Sequence, residues 1–320
     1  MKRFARVWPV YAVATLLYAL VLNGGLSYFH QAPNRATFWH SMAMLPADPS
    51  YVPYFSLTLP VGWTLEFEMY FYAIFAMSLL FKRLRWFVLV SWVLLTVILI
   101  PLGWSSLSMD VTANLNYPVG YMNIVTSPFV LEFLAGVVIG WLYLSDRVRI
   151  SNRKVAYHVL GLGVAFAIWC IYGAVTGMHG PTNWGWPIAI MVLSMAITSK
   201  TIEISVPRFC MWLGTISYSL YLTHLISQGL ITRWLVALGQ APSAHAWAYI
   251  FISTAFALSF AALSHHYLEQ GLANLMRNWM LKAIPAGASR VRPTDIKDAP
   301  SSAIFPIPKT GVGLVEAREA

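Results

Sequence analysis

The stretch PVGWTLEFEMYFYAIFAMSLLF, Pro60 to Phe81, decides the fold. It is apolar over the roughly 20 residues a bilayer-crossing helix needs, yet it contains Glu66 and Glu68. A charge at the centre of a span costs about 2.5–3.5 kcal/mol on insertion scales. Such a helix keeps carboxylates only where they face protein, interfacial water or a hydrated cavity. Two residues apart, the glutamates are separated by about 200° around a helix and share no face. Glu66 lies nearer the outer end, on the side of Trp63 and Tyr70, and is expected to reach interfacial water. Glu68 lies about 10 Å deep, with Tyr72 on its face at i+4, and needs an internal partner or a water-filled pocket.

The rest of the chain has the same character. It has 320 residues, 58% of them hydrophobic and only 10% charged, where a soluble domain carries about 25% charged residues. Apolar runs fall near residues 7–23, 62–81, 86–103, 127–145, 155–176, 185–199, 209–232 and 246–266. The fold class is all-α: a polytopic transmembrane helix bundle of about eight spans, with residues 1–281 as the membrane-embedded domain. The net charge of +9 does not point to nucleic acid, because the basic residues sit in short clusters between apolar runs. Lys2, Arg3, Arg6, Lys82, Arg83, Arg85, Arg147, Arg149, Arg153, Lys154, Lys200 and Arg208 fall in alternate connections. The opposite side has only Arg35 and Arg233. The positive-inside rule then puts both termini in the cytoplasm. The first segment imitates a signal peptide, but it is long, contains Pro9 and lacks a small-residue cleavage site, so it reads as a retained span. Outer connections run over about 24–61 and 104–126, with a short interfacial helix at 38–45. Residues 267–281 read as an amphipathic helix on the membrane surface, and 282–320 as a disordered cytoplasmic tail.

Two further ionisable residues interrupt apolar runs at a depth like that of Glu68. Glu132 is in SPFVLEFLAGVVIG and His224 in LGTISYSLYLTH. Glu68, Glu132 and His224 are expected to form one polar layer in the outer half of the bundle. The residues alone leave two readings open, a catalytic pocket or a structural hydrogen-bond network between helices. Arg3 and Arg6 share a helix face at i+3; they are either topology anchors or a grip for phosphate oxygens. Gly136 and Gly140 form a GxxxG, which reads as a close helix contact. The loop histidines His30, His40 and His179 have no metal-ligand spacing. Cys170 and Cys210 lie in apolar runs, which disfavours a disulfide. There is no P-loop, GxSxG or CxxC.

RFARVWPVY, VGWTLEFEMYFYAIFA, EFLAGVVIG and WLGTISYSLYLTH, in that order, resemble the acyltransferase-3 group of integral membrane acyltransferases. Within it they are similar to the bacterial exopolysaccharide-production O-acetyltransferases. The resemblance runs from Met1 to about Leu281. It implies transfer of an acyl group, often acetyl from acetyl-CoA as co-substrate, to a hydroxyl of a glycan or glycolipid. It also implies residence in the bacterial cytoplasmic membrane, with membrane lipid and a glycan or lipid-linked sugar as partners. By the resemblance, Arg3 and Arg6 hold CoA phosphates, Trp63 and Glu68 are the family's Trp and Glu, and His224 is its late histidine. Two departures stand out. Relatives have two further N-terminal helices, the first with a histidine implicated in acyl transfer, which implies a start upstream of Met1 or a truncated, inactive remnant. In YLEQG, Gly271 stands where many relatives have proline. A transporter or flippase of a lipid-linked sugar is the competing class, but the repeated halves usual there are missing.

Overall fold

The structure, a computed structural model, describes residues 2–173, 175, 177, 179–240 and 246–271, with the backbone alone for 2–6 and 246. Among them there is no strand, and every apolar run of the sequence has a helix over it. These helices are α1 (Lys2–Leu22), α3 (Trp63–Leu79), α4 (Lys82–Trp104), α5 (Val130–Leu144), α6 (Arg153–Tyr172), α7 (Trp186–Thr198), α8 (Arg208–Ala237) and α9 (Ala246–Ser264). A further helix, α2 (Ala32–Met42), lies in the first connection. Four segments are long and apolar enough to cross a membrane: Lys82–Trp104, Met122–Leu144, Arg153–Tyr172 and Trp247–Gln270. The chain is a membrane protein. At 13 residues, α7 rises only about 20 Å, as its short apolar run foreshadowed.

Local chemistry sets the helix ends. The Asn152 side chain accepts from Lys154 N at 2.9 Å and Val155 N at 3.4 Å, capping α6. Proline in the first turn of α7 occupies a position whose N–H would have no partner in the helix. Within α4, Pro101 has no N–H to donate, and the preceding turn, Leu95–Leu99, opens into a π-turn.

Side-chain contacts give the helix directions. Phe67 meets Phe129 and Phe71 meets Phe133, so α3 and α5 run parallel. Ser219 meets Glu269 and Thr232 meets Tyr249, so α8 and α9 form an antiparallel hairpin. The ammonium of Lys200, just past α7, donates to the carbonyls of Leu142 (3.2 Å), Ser145 (2.7 Å) and Val148 (2.9 Å). It therefore neutralises the partial negative charge at the C-terminus of α5. Arg233 does the same for α1, donating to the carbonyls of Val21 and Leu22, and Arg35 donates to Phe29 O and His30 O. The two basic residues that break the charge bias thus each satisfy orphan carbonyls. Replacing Lys200 by Met is expected to cost about 2 kcal/mol, since charge-assisted bonds are lost and carbonyls exposed. A lower melting temperature in detergent, with expression intact, is the check.

The first connection departs from the sequence reading. The expected helix at 38–45 is instead Ala32–Met42, and the residues after it fold into the bundle rather than over its outside. Ser41, Phe55 and Leu59 are fully buried. The Trp8 indole N–H on α1 donates to Met42 O at 2.9 Å, and Thr58 N donates to Ser41 Oγ at 2.9 Å. Non-helical backbone at this depth is tolerated because protein surrounds it and satisfies its polar groups. The GxxxG expectation also fails, since a Cβ on Gly136 or Gly140 would meet nothing within 4 Å. Of the expected amphipathic helix at 267–281, only residues 267–271 are among those described. They belong to a π-turn, His265–Gln270, and its following residue, continuous with α9, and Glu269 there is buried. Cys170 and Cys210 form no disulfide with each other. The tail at 282–320 lies outside the described residues.

Candidate functional site

The helix α3 is a wall with three chemically different faces. On one, Thr64, Glu68 and Tyr72 recur every fourth residue and so stand in a row. The Tyr72 hydroxyl donates to Glu68 Oε1. Thr64 Oγ1 lies 2.6 Å from the hydroxyl of Tyr221 on α8, which also donates to Val61 O at 2.9 Å. This half-buried row therefore meets α8 at Tyr221. His224 sits one turn along α8, its ring centroid 6.1 Å from that of Tyr221. Its Nδ1 lies 2.8 Å from Tyr221 O. A carbonyl only accepts, so Nδ1 carries the proton and Nε2 in the neutral ring keeps its lone pair, a base without a partner among the described residues.

On the second face Trp63 and Phe67 look toward α5. The Trp63 ring lies 5.4 Å from Phe129, 5.3 Å from Tyr54 and 5.8 Å from His179. Beyond them, α5, α7 and the segment leading into α7 enclose a cavity of about 480 Å³. Glu132, in the first turn of α5, lines it with His179, Trp184 and Gly185. Oε1 of Glu132 packs on Gly185, where a Cβ would stand 2.7 Å from it and 2.9 Å from Gly180 O. Glu132 accepts no hydrogen bond from any described residue.

Of the three residues expected in one layer, Glu68 lies on the α3 face whose Thr64 meets Tyr221 of α8, and His224 stands one turn along α8 from that tyrosine. Glu132 lies across α3, in a cavity whose lining includes neither of them. The reason is the 100° step of the helix, which aims Trp63 and Phe67 at α5 and Thr64 and Glu68 at α8.

The third face reverses the expectation for Glu66. It is 1% exposed, and neither carboxylate oxygen has a hydrogen-bond partner among the described residues. One turn away, Gly62 packs so closely on the Tyr11 hydroxyl that a Cβ would come within 2.7 Å of it, and that hydroxyl is also buried. The first connection folding inward and α1 packing beside it seal off the water Glu66 was expected to reach.

Arg3 and Arg6 occupy the opening turns of α1, and their side chains lie outside the described residues. Nearby, the Tyr218 hydroxyl donates to Val7 O at 2.7 Å, and Leu268 packs on the Val7–Val10 cluster. The same end contains a network that sequence reasoning missed. Glu269 Oε2 accepts from Ser219 Oγ at 3.0 Å and from His265 Nδ1 at 2.9 Å. The available signal was a glutamate four residues after a histidine in an apolar segment; the missing proline of YLEQG drew the reading instead. His179 was missed too, because nothing in its loop marks it as facing a cavity.

These features define a helical membrane protein with ionisable groups at the α3–α8 junction and in a cavity beside α5 and α7. The model of the acyltransferase-3 family, described as an acyltransferase domain, matches residues 1–264. The chain belongs to this family. It is also similar to the exopolysaccharide production protein ExoZ of Rhizobium meliloti (strain 1021), with 30% identity over 280 residues, 85% of this chain and 81% of that protein. No solved structure matches.

Proposed function

We propose that the protein transfers an acetyl group from acetyl-CoA to a hydroxyl of an exopolysaccharide in the bacterial cytoplasmic membrane. The observation that carries this is the similarity to ExoZ over most of both chains, joined to the carboxylate, hydroxyls and imidazole that α3 and α8 present around Tyr221. The sidedness follows from the charge bias: both termini are cytoplasmic, and all spans of the bundle are crossed in alternation. CoA approaches the basic end, where the guanidiniums of Arg3 and Arg6 neutralise its phosphates. The acceptor arrives from the other end. Its hydroxyl oxygen attacks the thioester carbonyl, and the proton passes to Nε2 of His224. The carbon–sulfur bond then breaks and the CoA thiol leaves protonated. Glu68, held by Tyr72, orients the acceptor and stabilises the positive charge that forms on the imidazole. Glu132 holds a second hydroxyl of the acceptor.

The test is glycan analysis of a strain lacking the gene. One ester substituent should disappear and return with the wild-type chain; an unchanged ester pattern refutes the proposal. A second prediction concerns Gly185. Because a methyl group there collides with Glu132 Oε1 and Gly180 O, Gly185→Ala is expected to displace the carboxylate and lower transfer at least about tenfold, as misplacement by an ångström can. A variant with a normal melting temperature and full activity would separate Glu132 from the reaction.

A further inference from the structure

His179 has no role in the mechanism above, yet it stands among three aromatic rings. Its ring centroid lies 5.8 Å from Trp63, 5.7 Å from Trp184 and 6.4 Å from Tyr54. The loop that carries it is fixed from within: Asn183 Nδ2 donates to His179 O at 2.8 Å, and Gly177 N donates to Asn183 Oδ1 at 3.2 Å. Gly180 is needed next to it, at φ +106° and with Val111 2.8 Å from where a Cβ would be. His179 and Trp184 line the cavity with Glu132, whose carboxylate accepts no hydrogen bond from any described residue.

From this juxtaposition we propose that the cavity is a binding site for a pyranose ring of the acceptor, with Trp184 as its stacking platform and His179 and Glu132 as ligands for its hydroxyls. The inference rests on the acyl-transfer reading and names the acceptor subsite within it. A pyranose has apolar C–H faces and a rim of hydroxyls. The electron-rich face of an indole attracts those polarised C–H groups, while a carboxylate and an imidazole take hydroxyl hydrogens in an otherwise largely apolar pocket. The volume of about 480 Å³ lies in the range of small-ligand sites, about 300–1,000 Å³. A phosphate is disfavoured by the Glu132 charge, and one carboxylate with one imidazole falls short of a metal-ligand set.

The test is direct binding to the full chain in lipid nanodiscs, read by tryptophan fluorescence, which needs no acyl transfer. The probes are disaccharides of glucose, galactose and mannose, with decanol and tetramethylammonium as the alternative occupants. At least one disaccharide should give a saturable change. Trp184→Ala and His179→Ala should each weaken it about tenfold or more, with His179→Gln retaining part of the affinity, and Glu66→Met, on the sealed face of α3, should leave it unchanged. The proposal is overturned if no disaccharide saturates, if decanol or tetramethylammonium binds in their place, or if folded Trp184→Ala and His179→Ala bind like the wild type. Sugar binding in a protein that transfers no acyl group would sink the proposed reaction and leave this site standing. Active transfer with an acceptor KM unmoved by His179→Ala and Trp184→Ala would do the reverse.

Discussion

Glu68→Gln is expected to lower acyl transfer by about 10²–10⁴-fold, the usual span for a group that assists proton transfer, while the melting temperature stays within a degree or two. The substitution keeps a carbonyl oxygen to accept from Tyr72, so the row Thr64–Glu68–Tyr72 and its contact with Tyr221 survive. What is lost is the charge that the proposed mechanism uses. The measurement is ester content of the glycan in a complemented deletion strain, alongside a melt of the purified protein. Full activity would return Glu68 to the structural reading that the sequence left open. A large drop in melting temperature would point the same way, because a charge retained for catalysis contributes little to holding α3 against α8.

Glu66→Met is expected to do the opposite: raise the melting temperature and leave transfer intact. A buried polar group without partners costs about 1–3 kcal/mol, more if charged, and both oxygens of Glu66 are in that position. Methionine has a similar length and no polar terminus, and its flexible thioether fits an irregular apolar slot. Recovery of that desolvation cost should appear as added stability in detergent. If Glu66→Met melts lower than the wild type, the carboxyl is satisfied in the folded protein and the buried-orphan interpretation fails. The two glutamates of one short motif thus make opposite predictions, and a paired measurement of activity and melting separates them.

The sequence carried the helices well and the space between them poorly. Each apolar run became a helix because hydrophobic length and the absence of water fix that outcome locally. The run at 209–232 sits within Arg208–Ala237, and that at 86–103 within Lys82–Trp104. The connection 24–61 was not legible. Its turns place Met44, Phe55 and Ser56 at φ near +50°, where glycine or asparagine would normally advertise a left-handed residue. Such backbone persists when surrounding packing over-determines it; here Met44 packs in the cluster with α1 and Phe55 in the cluster with α3. Periodicity likewise separated Glu66 from Glu68 by face without saying which face turns inward, since that depends on neighbours distant in sequence, such as Tyr11 and Tyr221. Among the candidate residues, the pairing of Glu68 with Tyr72 was readable at i+4. The separation of Glu132, and the approach of His179 to Trp63, arise only when α5, α7 and their loop close around a common space.

The inward fold of the first connection bears on how the topology of this protein can be mapped. A reporter or epitope inserted between residues 52 and 59 would have to displace backbone that is packed against α1 and α3, so it would register damage instead of sidedness. The stretch at 105–107, exposed and past the end of α4, is the better insertion point for labelling the same end of the bundle.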